Sequence, residues 1–431
     1  MLNFVIGMEL KVSEPKRLLI ISAMFFPQPA VGTVRVTQWC RYLPEFGWQP
    51  NVLCRYYGHQ ATPQLLAEKL HPAVSVNYFN LSGSTNTPPP SGQSNGLVWW
   101  KSLLANSLLN QWVVPDLSVV SWRGGRNKAL ELVGQLHPDV ILTSSPPLGV
   151  HDLGLWLSTE TGIPWVADFR DPYIIDSRYG PRGIGRLRYS AHRNYERQIY
   201  ERAALIVHAI PLQARWARMT YPAARAKIVT LTNGCPPELF DGSLEPVMAA
   251  NGRRSIRMVG ALTRPEADML VRATGNLIER GADLELRLVG GSQDDLSELQ
   301  KQMPDNLVVT GALRHDQALA QVTGADVLVC SLSPARSKAM LLSSKLFEYL
   351  ATGKPVIVIN PTIPDRQFLR KFQGVRLLVA PSVEELEMVL RWALESASSP
   401  PLEQTRRFRQ EFNRRTQTKQ LADWLSNLAG E

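Results

Sequence analysis

The chain has 431 residues, 44% of them hydrophobic and 8% aromatic, which is ample core for two or three folded domains and excludes a disordered chain. Its formal charge of +9 is unevenly placed: residues 1–240 hold 23 Lys+Arg against 15 Asp+Glu, and the rest hold 24 against 23. The basic half suits an anionic partner such as a membrane surface, a phosphorylated lipid or a nucleic acid. No basic stripe is interleaved with aromatics, so nucleic acid is the least expected of these.

The four cysteines, Cys40, Cys54, Cys235 and Cys330, show no CxxC and no metal-like spacing. They point to a reduced, cytoplasmic setting. No apolar run reaches the roughly 18–20 residues of a spanning helix. The opening "MLNFVIGMELKVSEPKR" carries acids and lacks a basic leader, so it does not read as a signal peptide.

From Arg17 the pattern is strand, loop, helix, repeated. "RLLIIS" (17–22) is a buried strand, "FFPQPAVGT" (25–33) a Pro/Gly loop, and "VRVTQWCRYLPEFG" (34–47) a helix. Further strands fall at 49–55, 74–79, 139–144, 164–169, 204–209 and 227–232, with helices near 124–136, 149–161 and 190–202. The stretch 81–96 is Ser/Pro/Gly-rich, as mobile segments are. The apolar, Trp-bearing 97–114 that follows is either a core helix or an interfacial helix on a membrane.

After a linker at 233–254 the rhythm restarts. Strands are expected at 255–261, 284–290, 306–311, 326–330, 355–359 and 375–379. Helices are expected near 265–280, 294–302, 315–323, 343–352 and 383–397, and a long basic one at about 403–428. Alternating strands and helices mean parallel α/β sheets. The expected fold is two tandem Rossmann-like, doubly wound domains. The first covers 1–240 together with 403–431, and the second covers 241–402.

In open parallel sheets ligands bind beyond the carboxyl ends of the strands, so the loops there hold the candidates. Gly32 and Thr33 open the first helix and let backbone N–H groups meet an anion; as a plain turn they need no such role. Neither a dinucleotide fingerprint nor a Walker loop is present. Ser144, Ser145 and His151 lie in and beyond "SSPPLGVH", where Ser145 and His151 suit a polar acceptor. Asp168, Arg170 and Asp171 crowd one strand end, either as an internal Asp–Arg pair or as working groups, because such charges are costly to bury unpaired. Arg264 precedes a helix N-terminus. Arg336, Lys338, Lys345 and Glu348 gather along "SLSPARSKAMLLSSKLFE". Lys345 and Glu348 share a helix face, as a solvated ion pair or as part of a site. Were two sheets to face each other across a cleft, Ser344 would sit at a positive helix end. Arg264 and Lys345 could then balance a diphosphate, and Glu348 could accept both hydroxyl hydrogens of a ribose.

The tandem α/β pattern, the early glycine loop, "LTNGCPPELF" at the junction and "SKLFEYLATGKPVI" resemble the retaining GT-B glycosyltransferases of family 4. "LTSSPPLGVHDLGLWLSTETGIPWVADFRDPY" is similar to a branch acting in cell-surface polysaccharide assembly. The resemblance covers nearly all of the chain from Arg17 to about Leu428. It implies an N-terminal acceptor-binding domain, a C-terminal nucleotide-sugar domain, a cleft between them and a final helix crossing back to the N-terminal domain. It implies hexose transfer with retention from a UDP- or GDP-type sugar to a glycan or lipid-linked saccharide. No metal and no other cofactor are expected. The setting it implies is cytoplasmic and peripheral on the inner face of the membrane, with an anionic lipid surface as a further partner.

By the same resemblance Glu348 matches the family's ribose-binding glutamate, Arg264 its phosphate-binding base and Gly32 its phosphate-approaching glycine. Thr33, Ser344 and Leu346 fall on the nucleotide side. Arg264, Lys345, Asp168, Arg170 and Asp171 are the catalytic candidates. The sequence departs from the pattern in three places. Met340 stands eight residues before Glu348 where a glutamate is usual. No lysine follows Arg264. Arg170 stands where the family has a histidine. A nucleotide-sugar epimerase on the same fold and a non-catalytic glycan-binding assembly protein are the alternatives.

Overall fold

The computed structural model describes residues 14–26, 32–55, 70–79, 113–175, 185–260, 263–290, 293–331, 340–397 and 401–430. The 81–96 stretch, most of 97–114, the tip of the 25–33 loop, Arg336 and Lys338 lie outside the described residues.

The first sheet holds seven strands: β1 (Lys16–Ser22), β2 (Trp48–Arg55), β3 (Ser75–Phe79), β4 (Val140–Ser145), β5 (Trp165–Phe169), β6 (Leu205–His208) and β7 (Ile228–Thr230). Its order is β3-β2-β1-β4-β5-β6-β7. In register, Ile20 of β1 sits between Val52 and Leu142 in parallel neighbours. Continuous aliphatic runs such as Leu18–Ile21, all fully buried, are what a sheet covered on both faces demands.

The second sheet holds β8 (Arg254–Val259), β9 (Leu284–Val289), β10 (Leu307–Val309), β11 (Val327–Ser331), β12 (Val356–Ile359) and β13 (Val375–Leu378), in the order β10-β9-β8-β11-β12-β13. Both sheets therefore run third, second, first, fourth, fifth, sixth, the doubly wound order whose reversal lies between the first and fourth strands. One layer of core over the second sheet gathers Leu346, Phe347, Leu350, Phe368, Phe408 and Phe412. The layer on its other face gathers Leu270, Leu277, Leu286, Leu386 and Leu390.

Contacts divide the chain into two compact units. One is Met1–Asp168, Arg202–Leu205 and Thr418–Glu431, and the other is Phe169–Glu201 and Ile206–Gln417.

Helix ends follow local chemistry. The first helix, α1 (Thr33–Tyr42), is shorter than the expected 34–47. Pro44 tightens the chain into a 3-10 turn over Leu43–Phe46, and Gly47 ends it at φ +78°. Helices α2 (Ser118–Gly124) and α6 (Pro211–Thr220) were not expected, nor was the later one at Ile363–Leu369. Between them lie α3 (Arg126–Leu136), α4 (Val150–Thr161) and α5 (Arg186–Arg202). The second series is α7 (Arg264–Glu279), α8 (Gln293–Gln300), α9 (His315–Thr323), α10 (Ser344–Thr352), α11 (Ile363–Leu369) and α12 (Val383–Ser396).

The long C-terminal helix is two helices, α13 (Leu402–Phe412) and α14 (Arg414–Ala429), parted at Asn413 with extended φ −62°, ψ 129°. At the break Cys235 N–H donates to Phe412 O (2.8 Å) and Arg414 N–H donates to Cys235 O (3.0 Å). Within the first unit, Trp48 Nε1 and Lys16 Nζ donate to Ser426 of α14.

Candidate functional site

In the second sheet the strand reversal falls between β8 and β11, so the segments leaving these two strands mark the place for a ligand. Gly260 follows β8 at φ +120°, a conformation that side-chain-bearing residues avoid. Its N–H donates to Val289 O at 2.7 Å. A Cβ on Gly260 would collide with the Lys345 amine, and one on Gly290 would collide with Gly260 O. The Lys345 amine thus lies against bare backbone at the carboxyl end of β8.

Lys345 is carried there by α10. This helix forms because Leu346, Phe347 and Leu350 give it one apolar face and Gly353, at φ +77°, ends it. Its N-cap is Ser343, whose N–H donates to Asp365 Oδ1 (3.0 Å). Ser344 is the first helical residue rather than the cap. Leu346, expected on the nucleotide side, is fully buried in the core, and its N–H donates to Ser343 O (3.3 Å).

Glu348, one turn on from Lys345, pairs with Arg414 rather than with Lys345. Arg414 Nη2 donates to Glu348 Oε1 at 3.0 Å, and His315 Nε2 stands 3.9 Å from the same oxygen. The solvated Lys345–Glu348 pair is therefore not what the helix carries. Arg264 opens α7 and is held by acids of its own unit, Asp268 at 3.0 Å and Glu298 at 3.9 Å. Glu266 accepts the Thr263 N–H at the same helix start. Two carboxylates already share Arg264, so a phosphate there would compete with them.

The first unit assembles differently. Asp168, the penultimate residue of β5, is fully buried. It takes Arg35 Nη2 on Oδ1 at 2.8 Å, and Arg35 Nε (3.2 Å) and Ser144 Oγ (2.7 Å) on Oδ2. Arg35 stacks on Trp39 of α1, 4.5 Å from the ring centre. The internal partner of Asp168 is thus Arg35, not the neighbouring Arg170. Asp168, expected among the catalytic candidates, is enclosed and held by Arg35 and Ser144. Ser145 is also buried, its Oγ donating to Asp168 O (3.3 Å). Gly32 precedes α1 and Thr33 is its buried first residue. His151 is fully buried too, its Nδ1 2.8 Å from Thr143 Oγ1, which also accepts Trp165 Nε1. His151, expected on the acceptor side, is placed in the core of this unit.

Arg170 is buried, and Asp171 O accepts Gln213 Nε2 at 3.3 Å. A set of buried polar groups in the same unit holds the segment after them. Tyr173 Oη lies 2.5 Å from His192 Nδ1. Glu196 accepts the Ile174 N–H (3.4 Å) and the Tyr221 hydroxyl (2.6 Å). Burial pushes the Glu196 carboxyl up to about 7, against the opposing pull of the Tyr221 hydroxyl. Burial likewise pulls His208, bonded to Tyr200 Oη at 2.8 Å, down to about 3.

Arg35, His315, Arg414 and Glu196 were missed in the sequence. Only Arg35 had a signal, as a lone charge on the apolar face of the first helix.

Two doubly wound parallel sheets in one chain, with a cationic amine at the strand reversal of the second, define a two-domain α/β protein of the GT-B type. Solved structures agree on the fold. A glycosyltransferase from Rickettsia africae ESF-5 is 13% identical at a TM-score of 0.65, with 96% of this chain and 98% of that one covered. A sucrose-phosphate synthase from Thermosynechococcus elongatus is 14% identical at 0.65, covering 96% and 99%. A UDP-GlcNAc 2-epimerase from Neisseria meningitidis, bound to UDP-GlcNAc, is 10% identical at 0.59, covering 96% and 100%. At such identities the likeness is one of fold alone. No curated protein matches the chain.

Family models are more specific. Residues 32–234 match the glycosyl transferase 4-like domain and residues 253–396 match glycosyl transferases group 1. Together they span most of the sequence, and the chain belongs to the glycosyltransferases of the GT-B fold.

Proposed function

We propose that this glycosyltransferase moves a hexose, with retention and without a metal, from a UDP- or GDP-type sugar to a glycan or lipid-linked saccharide in cell-surface polysaccharide synthesis. Residues 241–402 would bind the donor, and residues 1–240 with 403–431 the acceptor. The observation that carries the reading is the Lys345 amine lying on the backbone of Gly260, with Glu348 one turn further along α10. An ammonium and a helix N-terminus favour a diphosphate, and an ionised carboxylate accepts a pair of ribose hydroxyls.

In the reaction the bond from the anomeric carbon to the β-phosphate oxygen breaks. The acceptor oxygen forms the new bond on the same face, and its proton passes to the departing diphosphate. Lys345 stabilises the charge that develops on that leaving group; a fixed donor of this kind is commonly worth a few kcal/mol. Arg264 contributes by exchanging Asp268 and Glu298 for phosphate oxygens. Arg170 and Asp171, at the carboxyl end of β5, belong to the acceptor side.

Attachment to an anionic membrane surface is part of the proposal and rests on the basic excess of residues 1–240. Among the described residues no helix is long and apolar enough to cross a membrane.

The test is incubation with UDP- and GDP-hexoses, with and without extracted glycan or lipid-linked acceptors. Acceptor-dependent release of nucleoside diphosphate, matched by sugar gained on the acceptor, is expected. Conversion of the nucleotide sugar to its epimer without acceptor would make the chain an epimerase. Glycan binding with neither reaction would make it a non-catalytic assembly protein.

A further inference from the structure

The break between α13 and α14 is tied down more firmly than a helix interruption requires. Arg414 N–H donates to Cys235 O (3.0 Å) and its Nε donates to Gly234 O (3.1 Å). Gln417 Nε2 donates to Thr232 Oγ1 at 3.0 Å. A Cβ on Gly234 would strike Phe412 O and the Gln417 amide, so the 232–235 segment lies hard against the break. From this anchored position Arg414 reaches α10 and gives Nη2 to Glu348 Oε1 at 3.0 Å. Both side chains are nearly enclosed, at 8% and 13% exposure. Among the described residues no donor takes Glu348 Oε2.

We propose that Arg414 is a positioning residue for the donor: it holds Glu348 by Oε1 and fixes the carboxylate plane so that Oε2 meets the donor's ribose hydroxyls. The inference rests on the reading of Glu348 as the ribose acceptor. A planar guanidinium bound at Nε by Gly234 and at Nη2 by Glu348 has little freedom, and the carboxylate inherits that rigidity. A lysine could supply the charge but not the two fixed directions. The same geometry makes donor affinity depend on how the 412–414 break is seated on residues 234–235, both outside α10 in sequence.

The experiment compares the full-length protein with R414K, R414Q and E348Q. Dissociation constants are measured for UDP and GDP, for their 2′,3′-dideoxy forms and for inorganic pyrophosphate, beside donor KM and kcat. The native protein should prefer the ribonucleotide by tenfold or more. R414K and R414Q should lose most of that preference and raise donor KM about tenfold, while pyrophosphate affinity and kcat move by less than threefold. R414Q/E348Q should be no worse than E348Q alone. Equal preference for the two nucleotide forms in the native protein would overturn the ribose reading itself. A native preference kept in full by R414K and R414Q would overturn the positioning role and leave that reading standing. Should R414Q fail to fold, R414K, which keeps the positive charge, decides.

Discussion

Arg35 and Asp168 meet as a fork and a carboxylate inside the first unit, Nη2 to Oδ1 at 2.8 Å and Nε to Oδ2 at 3.2 Å, with both residues buried. A pair so enclosed has lost its water, and its balance depends on both partners being present. Asp168→Ala takes the bidentate carboxylate from the Arg35 guanidinium and an acceptor from Ser144. Loss of about 3–5 kcal/mol is expected, read as a lower denaturation midpoint. The double change Arg35→Met/Asp168→Leu should recover much of it. Unchanged stability with abolished transfer would instead make Asp168 a catalytic group and not a structural one.

All thirteen strands lie where the sequence pattern places them: the central ones, buried on both faces, show an unbroken aliphatic stretch, and the partly exposed edge strands β3 and β13 follow from the alternation of strands and helices. The candidate site was legible only as a set of strand ends. Gly260 directly follows β8, at an end that the strand-end rule selects, and Lys345, in the first turn of α10, reaches it. What could not be read were partners separated by many residues. Asp168 lies next to Arg170 in sequence, yet its charge is met by Arg35 from α1. Glu348 lies three residues from Lys345, yet it is met by Arg414. Local spacing names a helix face; only packing decides which distant cation arrives there. The split at Asn413 escaped for a related reason, since it is made by backbone bonds to Cys235 and neither Pro nor Gly marks it. The burial of His151 was not legible either, because a histidine in the first turn of a helix reads the same whether it faces solvent or the Trp165 ring, whose centroid is 6.2 Å away.

Gly260 and Lys345 should behave as one unit in transfer. Lys345→Ala removes the cation and should lower kcat on the order of 10²-fold. Gly260→Ala strains a φ of +120° and drives its Cβ into the amine, so most of the same loss is expected with the lysine still present. Residues in contact are not additive, and the double variant should be little worse than Lys345→Ala. Independent, multiplying losses in kcat would show that Gly260 does not act through the lysine.

The four cysteines should be silent in the native state. All are buried and unpaired with one another. Burial pushes the Cys330 thiol up to about 11 and Cys235 to about 12, and raises Cys40 and Cys54 as well. The thiolate is the reactive form, so iodoacetamide at pH 7.5 should leave the folded protein unlabelled over the time in which a free thiol reacts fully. In denaturant all four should label. Rapid labelling of any one without denaturant would mean that its element opens on its own.

Glu196 should give the fold a pH dependence of unusual sign. Its folded pKa of about 7 lies above the ordinary glutamate value of about 4.3. Between those values the folded state binds a proton that the unfolded state does not, so this group's contribution is complete below about pH 4.3 and is lost as pH rises to 7. The full change is about 2–4 kcal/mol. The groups facing it are the Tyr221 hydroxyl, Tyr200, Arg193 and the Ile174 N–H. His208 works the other way: held neutral down to about 3, it costs stability as pH falls below about 6.5, where the unfolded imidazole takes up a proton. The two slopes oppose each other in the native protein, so the test is a difference. Glu196→Gln keeps the shape and removes the titration. Its stability relative to the native protein should rise steadily from pH 5 to pH 7.5 and then level off. A difference that stays flat across that range would show that Glu196 is already ionised in the fold.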